Sequence, residues 1–191
     1  MMLDIVKQNR SHRRFKQDAV DRATLEQLVD LARLSPSGGN KQPLKFFISC
    51  DNKTNAEIFP HLAWAASIED WAGPEECERP AAYIVILGDT EISTSFGCDH
   101  GIASQSILLG AVEKGLRGCI LGSVNRKELR KTLDLPERFN ILLVLALGMP
   151  AETVTLETVG DDGNTKYWRD KEGIHHVPKR SLADIIVDPA G

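Results

Sequence analysis

No run of this chain is apolar for the roughly 20 consecutive residues that crossing a bilayer requires. Basic residues are in deficit: 23 Lys and Arg against 27 Asp and Glu leave a formal net charge of −4. That excludes the broad basic surface on which non-specific nucleic-acid binding depends, though not a local basic pocket. Cys50, Cys77, Cys98 and Cys119 stand far apart with no C-x-x-C pair, so neither a zinc knuckle nor an iron–sulfur cluster is indicated. Thiols spaced this way are expected to be reduced and mostly buried. His175 and His176 are adjacent, and neighbours on extended backbone point to opposite sides, which argues against a shared metal. The opening Met1–Lys7 lacks a basic segment followed by an apolar one and a cleavage site, so the cytoplasm is the expected compartment. Gly115–Ser123 is glycine-rich but is not G-x-G-x-x-G, and it leads from a helix into a strand, the reverse of the dinucleotide-binding order. No Ser-His-Asp or Cys-His constellation stands out.

What is present is enough for one substantial core. The 191 residues are 42% hydrophobic and 26% charged, the balance of a globular domain. Residues 1–191 read as a single domain, with the polar stretch 151–191 as a C-terminal extension. Residues 3–9 predict a short helix. Thr24 and Gln27 fit a capping box that opens a helix with Leu25, Leu28, Val29 and Ala32 on one face. Leu44–Ser49 predicts a strand, Lys53–Phe59 a short helix, and Ala65–Pro80 a polar loop carrying Trp71. Ala82–Leu87 and Asn140–Gly148 read as buried strands. Asp99–Lys114, with Asp99 as a plausible cap, predicts a long helix rich in small residues, and Asn125–Leu133 a further amphipathic helix.

Between the second helix and the first strand lies Ser35-Pro36-Ser37-Gly38-Gly39-Asn40-Lys41-Gln42-Pro43. Pro36 stops the helix, because it lacks an N–H and its ring clashes with the preceding turn. Gly38 and Gly39 let a flat group approach the backbone, and Ser37, Asn40 and Gln42 supply donors and acceptors. Two readings fit: a helix-stopping turn, or a loop that holds a planar heteroaromatic ligand. Upstream, Arg10-Ser11-His12-Arg13-Arg14-Phe15 sets three arginines within five residues. Such a run is a solvated turn or an anion site built on guanidinium forks and a hydroxyl.

Pro-Ser-Gly-Gly-Asn-x-Gln-Pro after a helix and before a strand resembles the signature loop of the nitroreductase family. The Arg-Ser-x-Arg segment and the late Pro178-Lys179-Arg180-Ser181 follow in the family's order. The resemblance implies an α+β fold, a central mixed sheet flanked by helices, in an intertwined homodimer whose C-terminal segment crosses the partner. It implies FMN as cofactor. Arg10 and Ser11 would hold the phosphate, and Arg13 would lie near the ribityl chain or flavin O2; Arg14 has no matched role. Pro36, Ser37, Gly38, Asn40 and Gln42 would meet the isoalloxazine or ribityl chain of an FMN held by the other subunit's arginines. Leu121, Gly122 and Ser123 would form a turn near N5, and Lys179 and Arg180 would complete the phosphate site. The implied activity is a ping-pong transfer of electrons from NAD(P)H to a small oxidant of nitroaromatic or quinone type, with the chemistry carried by the flavin. Reductive dehalogenation, flavin modification and non-enzymatic FMN storage are the alternatives the same fold allows.

Overall fold

The computed structural model describes residues 1–65, 67–68 and 71–187. The expected loop over 65–80 therefore lies partly outside the described residues, at Ala66, Glu69 and Asp70. The chain forms two compact units, Met1–Trp64 with Ala72–Ala151, and Ala65–Trp71 with Glu152–Gly191.

The first unit contains the helices α1 (Met2–Gln8), α2 (Arg22–Arg33), α3 (Asn52–Ile58), α4 (Asp99–Glu113) and α5 (Arg126–Thr132). Its strands are β1 (Leu44–Ser49), β2 (Ala82–Asp89), β3 (Arg117–Leu121) and β4 (Phe139–Gly148). They form one sheet in the order β1-β2-β4-β3, antiparallel at every pairing. A parallel bridge from Ser11 to Gly118 extends its β3 edge, and the parallel part of the expected mixed sheet is confined to that bridge. β2 is buried along its whole length, as its unbroken apolar run requires of a strand covered on both faces. Alternation along β2 sends Ala82, Ile84 and Ile86 into a core with Leu25 and Leu28 of α2 and Ile107 of α4. Each such side chain contributes about 1.5–3 kcal/mol by leaving water.

α2 begins one turn earlier than its capping-box pattern suggests. Asp21 sits in extended backbone and accepts the Thr24 N–H at 2.6 Å, so the carboxylate, not Thr24, takes the cap. α2 ends at Arg33, capped by Leu34, ahead of Pro36. Asn125 caps α5 by accepting the Glu128 N–H at 3.4 Å. At Gly118 an added Cβ would lie 2.7 Å from the Ala146 carbonyl oxygen and 2.6 Å from Leu108 Cδ2. Only glycine lets α4 settle this closely on the β3–β4 pair. Gly110, expected on a face open to another backbone, is filled from within the chain: its Cβ position lies 2.2 Å from Leu31 Cδ1 of α2.

The second unit is built on a three-stranded sheet, β5 (Val154–Thr158), β7 (His175–Lys179) and β6 (Trp168–Arg169), in the order β5-β7-β6. β5 pairs parallel to β7, and β6 antiparallel to it. A loosely packed tail would not hold the enclosed ion pair Arg169–Glu152 at 2.6 Å. Nor would it stack Trp168 on His176 at 4.9 Å with ring planes 4° apart. His175 is buried and its neighbour His176 half-buried, as the alternation of a strand dictates. The final apolar turn stays open, with Leu182, Ile185 and Ile186 all exposed.

The expectation of mostly buried cysteines is corrected. Cys119 is buried and Cys50 half-buried, but Cys77 and Cys98 are exposed. Both exposed thiols sit where helical turns begin, Cys98 as the residue before α4 and Cys77 in the 3-10 turn Glu76–Glu78, away from the core side of an element. No helix among the described residues is long and apolar enough to cross a membrane.

Candidate functional site

The loop between α2 and β1 is held by one buried carboxylate. Asp99, in the first turn of α4, accepts the Ser37 O–H at 2.6 Å and the Gly38 N–H at 2.9 Å. It is 7% exposed. Ser37 Oγ in turn accepts the Gln42 N–H at 2.9 Å, so the hydroxyl gives its one hydrogen to Asp99 and closes the loop with a lone pair. Between these anchors Gly39, Asn40 and Gln42 all take positive φ, at 58°, 54° and 52°. For the two non-glycine residues this costs on the order of 1 kcal/mol each, and such strain persists only where the surroundings enforce it. The Gln42 and Asn40 side chains meet at 3.2 Å on the exposed side of the loop. A cavity of about 220 Å³ borders Ser35, Ser37, Gln42, Lys45, Phe46 and Asp99. A more open one of about 560 Å³ borders Gly38, Gly39, Lys41, Phe96, Cys98 and Ile102. The loop thus offers backbone and amide edges, with Lys41 and Lys45 among the cations bordering its cavities.

The arginine cluster lies elsewhere. His12 donates its backbone N–H to Gly118 at 3.0 Å, which lays Arg10–Arg13 along β3. Arg10 Nη2 donates to the Val6 carbonyl at 2.9 Å, and no carboxylate among the described residues lies within ion-pair distance of it. Partial burial alone lowers its pKa from the ordinary arginine value. Arg117, at the start of β3, is lowered for the same reason while donating to Leu116 O at 2.7 Å and Gln8 Oε1 at 2.7 Å. Two partly desolvated guanidinium groups without a carboxylate make this edge receptive to an anion. Ser11 is exposed here; Arg13 is only 8% exposed. Arg14 is not simply solvated, because its Nε pairs with Glu78 at 3.2 Å.

Leu121–Ser123 close the same edge. Arg126 holds the turn rigid by donating to the carbonyls of Gly122 at 3.0 Å, Ile141 at 3.0 Å and Leu142 at 3.2 Å, and Ser123 O accepts from Ala63 at 3.0 Å. Lys179 and Arg180 belong to the second unit, exposed at the end of β7.

The predicted residues of the first unit therefore fall into two clusters. Register puts Leu44, where the loop enters β1, opposite Gly88 and Asn140, and Ser11 beside Gly118, Leu147 and Ala82. These are diagonal corners of the sheet, about 20 Å apart along the strands and about 19 Å across them. α4 measures the gap independently. Asp99 touches the loop, whereas Gly118 packs against Leu108, nine residues on and about 14 Å along the helix axis.

Three residues of consequence are not marked by the sequence. Asp99 reads as a helix cap and turns out to fasten the loop. Arg117 is hidden in a strand pattern, and Arg126 in an ordinary amphipathic helix. None belongs to a motif, and only the fold brings each to its partners.

Comparisons with known proteins bear on the family and the fold. The family model described as "Nitroreductase family" covers residues 6–149. A protein of Archaeoglobus fulgidus provisionally named an NADH dehydrogenase/NAD(P)H nitroreductase is 25% identical over 158 residues, 78% of this chain and 86% of its own. An iodotyrosine deiodinase of Thermotoga neapolitana is 22% identical over 186 residues, 90% of this chain and 95% of its own. The solved structure of an FMN-dependent nitroreductase of Clostridium difficile superimposes with a TM-score of 0.64 at 22% identity, over 85% of this chain and 94% of that one.

Proposed function

The chain belongs to the nitroreductase family, and from that premise we propose that it is an FMN-dependent oxidoreductase. It would move electrons from NAD(P)H to a small oxidant of nitroaromatic or quinone type, with each flavin bridging two copies of the chain. The observation that carries this reading is the split site. The planar-ligand loop and the uncompensated arginines recognise different ends of one kind of molecule, yet within one chain they occupy diagonal corners of the sheet. A second copy that sets its loop against the first copy's arginines completes the set.

The donor set fits the cofactor. Arg10, with no carboxylate beside it, and the exposed Ser11 suit the phosphate, and Arg117 adds charge next to them. Arg13 offers a further positive charge from below the surface toward the ribityl chain or O2. Pro36, Gly38, Asn40 and Gln42 present backbone and amide edges to the ring, with Ser37 holding the loop shape rather than spending its hydroxyl on the ligand. Leu121, Gly122 and Ser123 supply a turn that Arg126 keeps from moving. Lys179 and Arg180, by the family resemblance, would add positive charge to the phosphate. When bound, FMN supplies hydride acceptance and electron transfer; the chain's part is to bind, orient and shield it.

Dimerisation has its own support. Leu3, Val6, Leu31, Leu34, Ile102 and Ile120 are exposed on the first unit, apolar side chains that a second copy could cover. Obligate interfaces cover about 2,000–5,000 Å². A second reading, reductive dehalogenation, draws on the deiodinase likeness, which runs over 90% of the chain.

Anaerobic reduction tests the proposal. The purified protein should be yellow and bleach on addition of NADH or NADPH, then regain colour with a quinone or nitroaromatic. Iodide release from an iodinated phenol would favour dehalogenation. A yellow protein that neither nucleotide bleaches would favour storage, and one colourless after incubation with FMN would defeat both enzymatic readings.

A further inference from the structure

The far end of the β1–β2 pair carries a second cavity, of about 290 Å³, that neither the loop nor the arginine edge uses. It lies in the first unit, where β1 ends at Ser49 and β2 begins, opposite the end that receives the loop. Its polar groups can be accounted for one by one. Asn55 is committed, accepting from Ser49 Oγ at 2.8 Å and donating to Ala81 O at 2.8 Å. Gln17 Nε2 donates to Arg79 O at 3.0 Å. Asn52 is exposed to water on α3, which leaves two enclosed donors.

Tyr83 is fully buried, and its hydroxyl has no hydrogen-bond partner among the described residues. Arg79 Nε is enclosed and likewise unpartnered. The Arg79 guanidinium lies over the Phe59 ring, 4.1 Å from its centroid, a stack that fixes the plane of its fork. Both side chains line this one cavity. Burial pushes the Tyr83 phenol well above its ordinary value, so it remains an O–H donor throughout the neutral range. No carboxylate of the described residues pairs with Arg79: Glu78 is engaged by Arg14 at 3.2 Å, and Glu76 sits exposed on the rim, beyond ion-pair distance. Leaving a buried hydroxyl and an enclosed guanidinium N–H unsatisfied is costly, and a ligand that only accepts hydrogen bonds relieves both.

We propose that this cavity is a second binding site, for a small carboxylate whose oxygens take the Arg79 guanidinium and the Tyr83 hydroxyl. At about 30 Å³ per water its volume corresponds to roughly ten waters, room for an acid of a few carbons or a single aromatic ring. Ala19, Ala56 and Pro80 line the rest and suit the apolar remainder of such an acid. The site owes nothing to the flavin reading and stands whether or not that reading holds.

The test is a titration of the isotope-labelled 191-residue chain with sodium acetate and sodium benzoate against sodium chloride of equal ionic strength. It is followed at the Arg79 Nε–H and Tyr83 ring resonances. Both acids should produce saturable shifts that chloride does not. Arg79→Lys should weaken binding by about tenfold or more. Tyr83→Phe should weaken it several-fold while leaving the ligand-free protein as stable as before or more so, because it deletes an unsatisfied buried hydroxyl. Glu76→Gln should tighten it about two- to threefold by removing a like charge from the rim. Shifts that rise without saturating, that chloride reproduces, or that survive unchanged in both Arg79→Lys and Tyr83→Phe would overturn the site. Should Arg79→Lys fold poorly, Tyr83→Phe and Glu76→Gln, with their opposite expected directions, decide alone.

Discussion

Asp99→Ala should disable the flavin loop without touching any group proposed to contact the flavin. The Asp99 carboxylate makes two hydrogen bonds to the loop, from Ser37 O–H at 2.6 Å and Gly38 N–H at 2.9 Å. Bonds to a charged acceptor are worth about 1.5–3 kcal/mol each. The loop's outer side is exposed, so water partly satisfies the freed donors, and the low end applies: about 3 kcal/mol for the pair. Loss of a carboxylate from the first turn of α4 adds about 0.5 kcal/mol. Because Gly39, Asn40 and Gln42 are held at positive φ, a released loop relaxes to other conformations. The fraction competent to bind then falls, and apparent FMN affinity with it, by up to about 150-fold. Asp99→Asn keeps an acceptor for Gly38 N–H and lets the Ser37 hydroxyl turn to accept, so it should cost only about tenfold. Flavin-fluorescence titration gives the affinities, urea unfolding the stability, and hydrogen exchange at Gly38 N–H the order of the loop. Wild-type FMN affinity in Asp99→Ala, with Gly38 protection unchanged, would refute the reasoning.

Arg10→Ala should weaken FMN by about 10- to 150-fold and riboflavin much less; equal losses for the two ligands would remove Arg10 from the phosphate. Gly118→Ala should destabilise the protein by about 3 kcal/mol in chemical unfolding, since its Cβ would meet a backbone oxygen at 2.7 Å that cannot move aside; a neutral result would contradict the packing of α4 on β3. His176 lies between Glu157 at 2.8 Å and Asp170 at 3.2 Å. Its pKa is raised, chiefly by the hydrogen bond to Glu157 and then by that to Asp170. A raised value in the folded state means stability that is fully present below the unfolded pKa of about 6.5 and lost as pH rises through the folded one. Asp170 is lowered by the same contact and contributes stability above about pH 4 that is lost on further acidification. His176→Gln should flatten the alkaline limb of stability against pH; an identical limb in wild type and variant would show the contact to be idle.

Local pattern made much of the fold legible, because the physics there is local. The apolar run Ala82–Leu87 announces β2, the spacing of Leu25, Leu28 and Ala32 announces the buried face of α2, and Pro36 marks its end. The cap at Asp21 escaped because Thr24-x-x-Gln27 is an equally good motif, and only backbone geometry separates the two. The loop and the arginines were legible as chemistry, since unusual residue types cluster at both. Their placement at diagonal corners was not, because register across four strands is a non-local property. Asp99 shows the same limit: one acidic residue at a helix start reads as a cap, and its bonds to Ser37 and Gly38 exist only once α4 meets the loop, 61 residues away in sequence. The second unit was least legible. Its strands are short and polar, and β5 pairs with β7 across a stretch of turns, which no periodicity announces.

Subunit exchange between two inactive variants tests the shared site most directly. Arg10→Ala removes the phosphate cation. Gly38→Val crowds the loop, where an added Cβ would lie 3.4 Å from Asp99 Oδ1 and the further methyl groups must press on the carboxylate or on the ligand's face. In a mixed dimer one site carries both lesions and the other neither. An equimolar mixture after verified exchange should therefore bind FMN at, and recover NAD(P)H oxidation from, about a quarter of the wild-type number of sites, half the dimers being mixed and half their sites intact. Full exchange with no recovery would place the loop and the arginines of each site in a single chain and contradict the account.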